Sequence, residues 1–125
     1  NKKIMEFIMR LRKTTKTKAC FTDNMDRIGK LYMPLALLDK MNIGDEIILQ
    51  LAPGKKDFPP GGYVTSFFYE KETVKKVRFK ENIAEMGELD LIYVSKNILE
   101  EMGLQDEIAV RVVPSGNIGG ASVAR

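Results

Sequence analysis

Residues 31–51 read LYMPLALLDKMNIGDEIILQL, and residues 92–112 read IYVSKNILEEMGLQDEIAVRV. At an offset of 61, six of these 21 positions are identical: Tyr32/Tyr93, Leu38/Leu99, Met41/Met102, Asp45/Asp106, Glu46/Glu107 and Ile47/Ile108. Most of the others pair apolar with apolar, among them Leu31/Ile92, Leu37/Ile98, Ile43/Leu104 and Leu49/Val110. A second match lies upstream at an offset of 58, where TKTKACFTDN (15–24) aligns with TVKKVRFKEN (73–82). A unit this long is too large for a solenoid array and too small to bury a core alone. Two copies in one chain of 125 residues are therefore expected to interlock into a single pseudo-two-fold domain. The expected layout is repeat one at 14–51, a linker at 52–62, repeat two at 63–113 and a flexible tail at 114–125.

Working outward, each copy reads as strand, strand, short helix, strand. Residues 14–22 and 28–33 are rich in β-branched and apolar side chains and predict two strands, with Asp23–Asn24 as the turn between them. Pro34 fits a first helical position, where its missing N–H costs nothing. Ser95 takes the same place in the second copy as an N-cap. Leu35, Leu38 and Met41, and then Ile98, Leu99 and Met102, follow at helical spacing. Asn42–Ile43–Gly44 and Gly103–Leu104 predict left-handed C-caps. Ile47, Leu49 and Leu51, and Ile108, Val110 and Val112, then alternate as strands. Residues 5–11 also alternate, with Ile8 on the polar side, and 63–69 (YVTSFFY) predicts a further strand whose counterpart could be 5–11. Residues 52–62 (APGKKDFPPGG) read as a loop.

Composition narrows the chemistry. The chain has no histidine and one cysteine, Cys20, which removes Ser–His, Cys–His and His-ligated zinc sites and any internal disulfide. A lone cysteine fits a reducing compartment, so a cytoplasmic location is expected, and no apolar run is long enough to cross a membrane. Net charge is +3 but uneven: residues 1–62 carry 12 basic and 7 acidic residues, and 63–125 carry 8 and 10. Seven of the basic residues lie within 1–18, a basic end that either attracts phosphate or solvates a terminus.

The stretch DRIGKLYMPLALLDKMNI (26–43), with Gly29–Lys30, Met33–Pro34, Met41–Asn42–Ile43 and Gly44–Asp45 in register, resembles the core signature of the AbrB/MazE/SpoVT family. The second copy keeps part of it, in Tyr93–Val94, Met102–Gly103–Leu104 and Asp106–Glu107–Ile108. The resemblance implies a mostly β cradle-loop barrel of the swapped-hairpin or double-psi kind. Six strands would come from the two units, with two short helices over the ends. It also implies a non-enzymatic DNA-binding domain, possibly a transcriptional regulator, with basic side chains on phosphates and groove edges.

Carried onto this chain, Lys30 matches the family's basic residue and Arg27 flanks it. Lys16 and Lys18 join them, and Arg10, Arg12 and Lys13 form an arm. The second copy has Asp90 and Leu91 in place of Gly29 and Lys30, and its loop holds Glu81, Glu85, Glu88 and Asp90. An acidic loop would repel DNA, so one half would do most of the binding. The alternative is a protein-interaction module without nucleic-acid binding, either a monomer with an internal pseudo-dyad or a homodimer. No cofactor or metal is expected. Asp45–Glu46 and Asp106–Glu107 read as turn acids whose side chains diverge. Phe67, Phe68, Tyr69 and Phe79 could stack bases, but the same strands need core.

Overall fold

The computed structural model describes residues 4–82 and 88–115. In chain order the elements are β1 (Met5–Thr14), β2 (Lys18–Asp23), β3 (Leu31–Pro34), α1 (Leu35–Met41), β4 (Glu46–Ala52), a 3-10 turn (Lys55–Asp57), β5 (Tyr63–Glu72), β6 (Lys76–Glu81), β7 (Leu91–Ser95), α2 (Lys96–Met102) and β8 (Glu107–Pro114). The chain is thus mostly β with two short helices. Among the described residues the strands number eight, which corrects the six expected for the barrel. Each three-strand unit gains a long leading strand, β1 or β5, that pairs on both sides.

Strand order is β3-β2-β1-β4-β8-β5-β6-β7, and every pairing is antiparallel. The order reads the same from either end once the halves are exchanged, and so does the register. Met9 faces Ile47 as Phe67 faces Ile108. Ala19 faces Met33 as Val77 faces Val94. Even the register slip in β1, between Leu11 and Lys13, recurs in β5 between Tyr69 and Lys71. At the centre Gln50 of β4 faces Arg111 of β8, residues that occupy equivalent places in the two halves. Arg111 Nη1 donates to Gln50 Oε1 at 2.8 Å, and Gln50 Nε2 donates to Glu6 Oε2 at 2.6 Å.

The sheet curls until its two edges meet. Ile28 forms a bridge to Val94, Gly29 N donates to Tyr93 O at 2.8 Å, and Ser95 N donates to Arg27 O at 2.8 Å. The result is a nearly closed antiparallel barrel, which hides edges that would otherwise offer pairing groups to other chains. A Cβ on Gly29 would lie 2.7 Å from the Tyr93 Cβ, so only glycine allows this approach.

Alternation along the strands fills the barrel. Phe7, Met9, Phe21, Leu31, Met33, Leu49, Phe67, Phe79, Ile92 and Val110 are all buried, while Ile8 between them is 53% exposed. Each large side chain so buried contributes about 1.5–3 kcal/mol before the entropy of ordering it.

The local signals differ in detail from their sequence reading. Thr14 ends β1 and residues 15–17 form the turn to β2, so the strand expected over 14–22 begins only at Lys18. Thr15 Oγ1 accepts from Lys18 N at 3.1 Å, and Thr73 Oγ1 accepts from Lys76 N at 3.1 Å, so a hydroxyl closes each hairpin beside the backbone bonds Thr15 N to Lys18 O (2.7 Å) and Thr73 N to Lys76 O (2.8 Å). Pro34 sits at the N-cap of α1, one residue before the expected place, and offers no side-chain cap. Ser95 does cap α2, its Oγ accepting from Asn97 N at 3.2 Å. Both helices end in a left-handed residue, Asn42 (φ 58°) and Gly103 (φ 70°). The expected tail lies outside the described residues from 116 onward, as does Glu85.

Candidate nucleic-acid interface

Residues that face one another across neighbouring strands project to the same side of a sheet. The outward side of β2, β3, β7 and β6 therefore carries Lys18, Cys20 and Thr22, then Lys30, Tyr32 and Pro34, then Leu91, Tyr93 and Ser95, then Lys76, Arg78 and Lys80. Lys13 of β1 faces Cys20, and Lys71 of β5 faces Arg78, which extends the row on both flanks. Where β3 and β7 meet, this face sinks into a cleft of about 490 Å³ lined by Lys18, Gly29, Lys30, Tyr32, Lys76 and Tyr93, with Leu89, Asp90 and Leu91 on the other wall. Lys18 and Lys76 are repeat equivalents, and so are Tyr32 and Tyr93. The cleft therefore straddles the internal symmetry axis.

Of the expected contact residues, Lys18 and Lys30 come together here. Among the described residues neither forms an ion pair. Lys13 lies on the same face, and Lys16 is exposed at the β1–β2 turn beside Lys18. Arg12 is exposed at the register slip, where it has no cross-strand partner. Arg10 bonds Glu46 across the β1–β4 ladder at 3.0 Å.

Arg27 is committed elsewhere. Its Nη2 and Nε reach Asp23 Oδ1 and Oδ2 at 2.9 and 3.1 Å, its backbone N–H donates to Oδ2 at 2.7 Å, and its guanidinium lies 4.8 Å above the Phe7 ring. Burial pushes the Asp23 carboxyl pKa up, but the hydrogen bonds and charge of Arg27 outweigh it and hold it below the usual value. Arg27 thus ties down the loop before β3 instead of projecting from it.

Of the acids expected to make the second half repulsive, Glu81 is buried and Asp90 is paired, while Glu88 is exposed and Glu85 lies outside the described residues. Glu81, equivalent to Asp23, is buried. Its Oε2 accepts from Tyr63 Oη at 2.6 Å and Thr65 Oγ1 at 2.7 Å, and its Oε1 accepts from Leu89 N at 2.6 Å and Asp90 N at 2.9 Å. Burial, with its bond to Glu81, raises the Tyr63 phenol pKa, so the phenol stays a donor across the physiological range. Asp90 is matched by Lys80 at 3.2 Å, Glu70 by Arg78 at 2.7 Å and Asp26 by Lys76 at 3.0 Å. The cleft lining thus includes one cation of the second half, Lys76, which is paired with Asp26, beside the unpaired Lys18 and Lys30 of the first.

Sequence reasoning missed Lys76 and the tyrosine pair. Their signal was present in the identity of Tyr32 and Tyr93 at positions alternating with buried Leu31, Met33, Ile92 and Val94. Tyr93 Oη accepts from Arg78 Nη1 at 3.4 Å, and Tyr32, facing Cys20, has its phenol pKa raised by that thiol. The strand aromatics singled out earlier divide: Phe67 and Phe79 are core, and only Phe68 and Tyr69 are substantially exposed. Asp45 and Asp106 act through their backbone carbonyls, which accept from Leu11 N and Tyr69 N at 2.8 Å each. Among the described residues no three His, Cys, Asp or Glu side chains cluster as metal ligands, and no helix is long and apolar enough to cross a membrane.

No family model and no curated protein sequence matches the chain. Among solved structures, one that matches is the cytoplasmic molybdate-binding protein ModG with molybdate bound, at 14% identity over 89% of this chain and 90% of that one. Its TM-score of 0.31 is too low to carry an argument about fold or function.

Proposed function

We propose that the chain is a non-enzymatic, AbrB-like nucleic-acid-binding domain that engages phosphates at the seam between its two halves. The single observation that carries the reading is the convergence of Lys18 and Lys30 from one half and Lys76 from the other on one concave outward face. Lys13 and Lys71 flank it; Asp90 is matched by Lys80, and Asp26 by Lys76 itself, which leaves Lys18 and Lys30 as the unpaired cations of the cleft among the described residues. Clustered cations of this kind gain affinity by releasing counterions from a polyanion. The net charge of +3 works in the same direction at longer range.

The test is fluorescence anisotropy with labelled DNA across a salt series. Each lysine–phosphate contact adds about −0.7 to the slope of log K against log salt on a single strand and about −0.9 on duplex. Lys18→Ala with Lys30→Ala is expected to flatten that slope by about 1.4–1.8. Arg27→Lys, which keeps the charge but loses the bidentate grip on Asp23, should change stability and leave the slope intact. No binding of any nucleic acid at low salt removes this reading and leaves the protein-interaction module as the successor.

A further inference from the structure

Resting on the nucleic-acid reading, we infer that the seam cleft takes single-stranded nucleic acid, one base stacking on Tyr32 or Tyr93 while Lys18 and Lys30 hold the neighbouring phosphates. Three features of the site point this way.

The first is shape. Duplex DNA presents a convex surface, and proteins that read it push a helix or a β-ribbon into a groove. The helices of this chain are seven residues each, and their polar positions include Asp39 on α1 and Glu100 and Glu101 on α2. The cations instead surround a depression of about 490 Å³, within the range of pockets that hold small planar ligands. A base can enter such a depression only after leaving its stack, which a single strand permits at little cost.

The second is chemistry. Phosphate contacts alone would need only lysines, yet the lining of the cleft includes two tyrosines. Both tyrosines are partly buried and neither belongs to the core cluster. Every base has a π-face, so a tyrosine platform beside free ammonium groups is the combination that binds single strands without regard to sequence.

The third is preorganisation. Gly29 lies against Tyr93 closely enough that a Cβ would collide with it, and Arg78 donates to the Tyr93 hydroxyl. Tyr32 sits against Cys20 in the equivalent place. The contacts to Tyr93 restrict where its ring can go, which lowers the side-chain freedom lost on binding.

The test uses the full chain and three labelled probes of matched length at one low salt concentration: oligo-dT, oligo-U and a GC-rich DNA hairpin duplex. Oligo-dT or oligo-U is expected to bind at least about tenfold more tightly than the hairpin. Tyr32→Ala with Tyr93→Ala is expected to weaken single-strand binding by about tenfold or more and to leave hairpin binding unchanged. Tyr32→Phe with Tyr93→Phe keeps the ring faces and should retain single-strand affinity, which guards against misfolding of the alanine variant. Equal or tighter hairpin binding that still depends on Lys18 and Lys30 overturns this inference and spares the nucleic-acid reading. Equal loss on all probes in the alanine variant, with its circular dichroism unchanged, also overturns it. Failure of every probe to bind removes both.

Discussion

Glu81 accepts four hydrogen bonds through its carboxylate, and replacing it tests how the cleft wall is held. Two hydroxyl donors meet its Oε2 and two backbone N–H groups meet its Oε1, all within 2.9 Å, in a site that is only 4% exposed. In Glu81→Gln the amide oxygen can keep the backbone donors of Leu89 and Asp90. The NH2 group then points at Tyr63 and Thr65, whose hydroxyls can turn and accept. The loss is the charge-assisted part of four bonds, and we expect about 2 kcal/mol. Glu81→Ala leaves the Leu89 and Asp90 N–H groups without an acceptor and opens a cavity, and should cost about 4 kcal/mol. Urea unfolding followed by circular dichroism reads the difference. With a slope of about 2 kcal/mol per molar, the alanine variant should melt about 2 M earlier. Because Leu89 and Asp90 line the cleft, the alanine variant, which releases their N–H groups, should also lose single-strand affinity under conditions where it remains folded, whereas the glutamine variant, which keeps them, should retain it. Both variants within about 0.5 kcal/mol of the parent chain would refute the reasoning.

Further outcomes follow from the same geometry. The Asp23 carboxyl is stabilised as an anion by Arg27, so its folded pKa lies below its unfolded one. Its contribution is complete above the unfolded value and is lost as pH falls through the folded value. Asp23→Asn should therefore flatten the acid limb of a stability–pH curve, and an unchanged limb would rule that out. Gly62 has φ +77°, and a Cβ there would lie 2.6 Å from Val113 Cγ1 and 2.7 Å from Val112 O. Gly62→Ala should thus cost about 2 kcal/mol or more by thermal unfolding. Cys20 is fully buried, so its thiol should react with a disulfide reagent only as fast as the chain opens, and addition of urea should release it.

Much of the scaffold was legible because it rests on local signals. The offset of 61 aligned α1 with α2 and β4 with β8. The left-handed helix ends announced themselves through Asn42 and Gly103, and Ser95 through its place before a helical stripe. The alternation of Phe7 and Met9 around Ile8 correctly gave β1 its buried face. What failed were features decided by partners distant in sequence. β1 and β5 raise the strand count to eight because each finds two neighbours, and no pattern within either strand shows that. Arg27 is a local exception: it looked like a free cation because its partner Asp23, though only four residues away, ends strand β2, so no helical i,i+4 pattern announced the pair. Glu81 looked like part of an acidic surface because hydroxyl and backbone donors leave no charge signature. Tyr32 and Tyr93 were visible as a repeated pair, but the curl of the sheet that brings both to one seam is a tertiary event.

The account stands or falls on where a nucleic acid touches the molecule. Amide chemical-shift mapping of the isotopically labelled chain during titration with oligo-dT measures this directly. Shifts should concentrate at Lys18, at Gly29 to Tyr32, at Lys76 and at Leu89 to Tyr93, on both sides of the seam. Shifts centred on α1, α2 or the β4–β8 junction, or none at all, would contradict it.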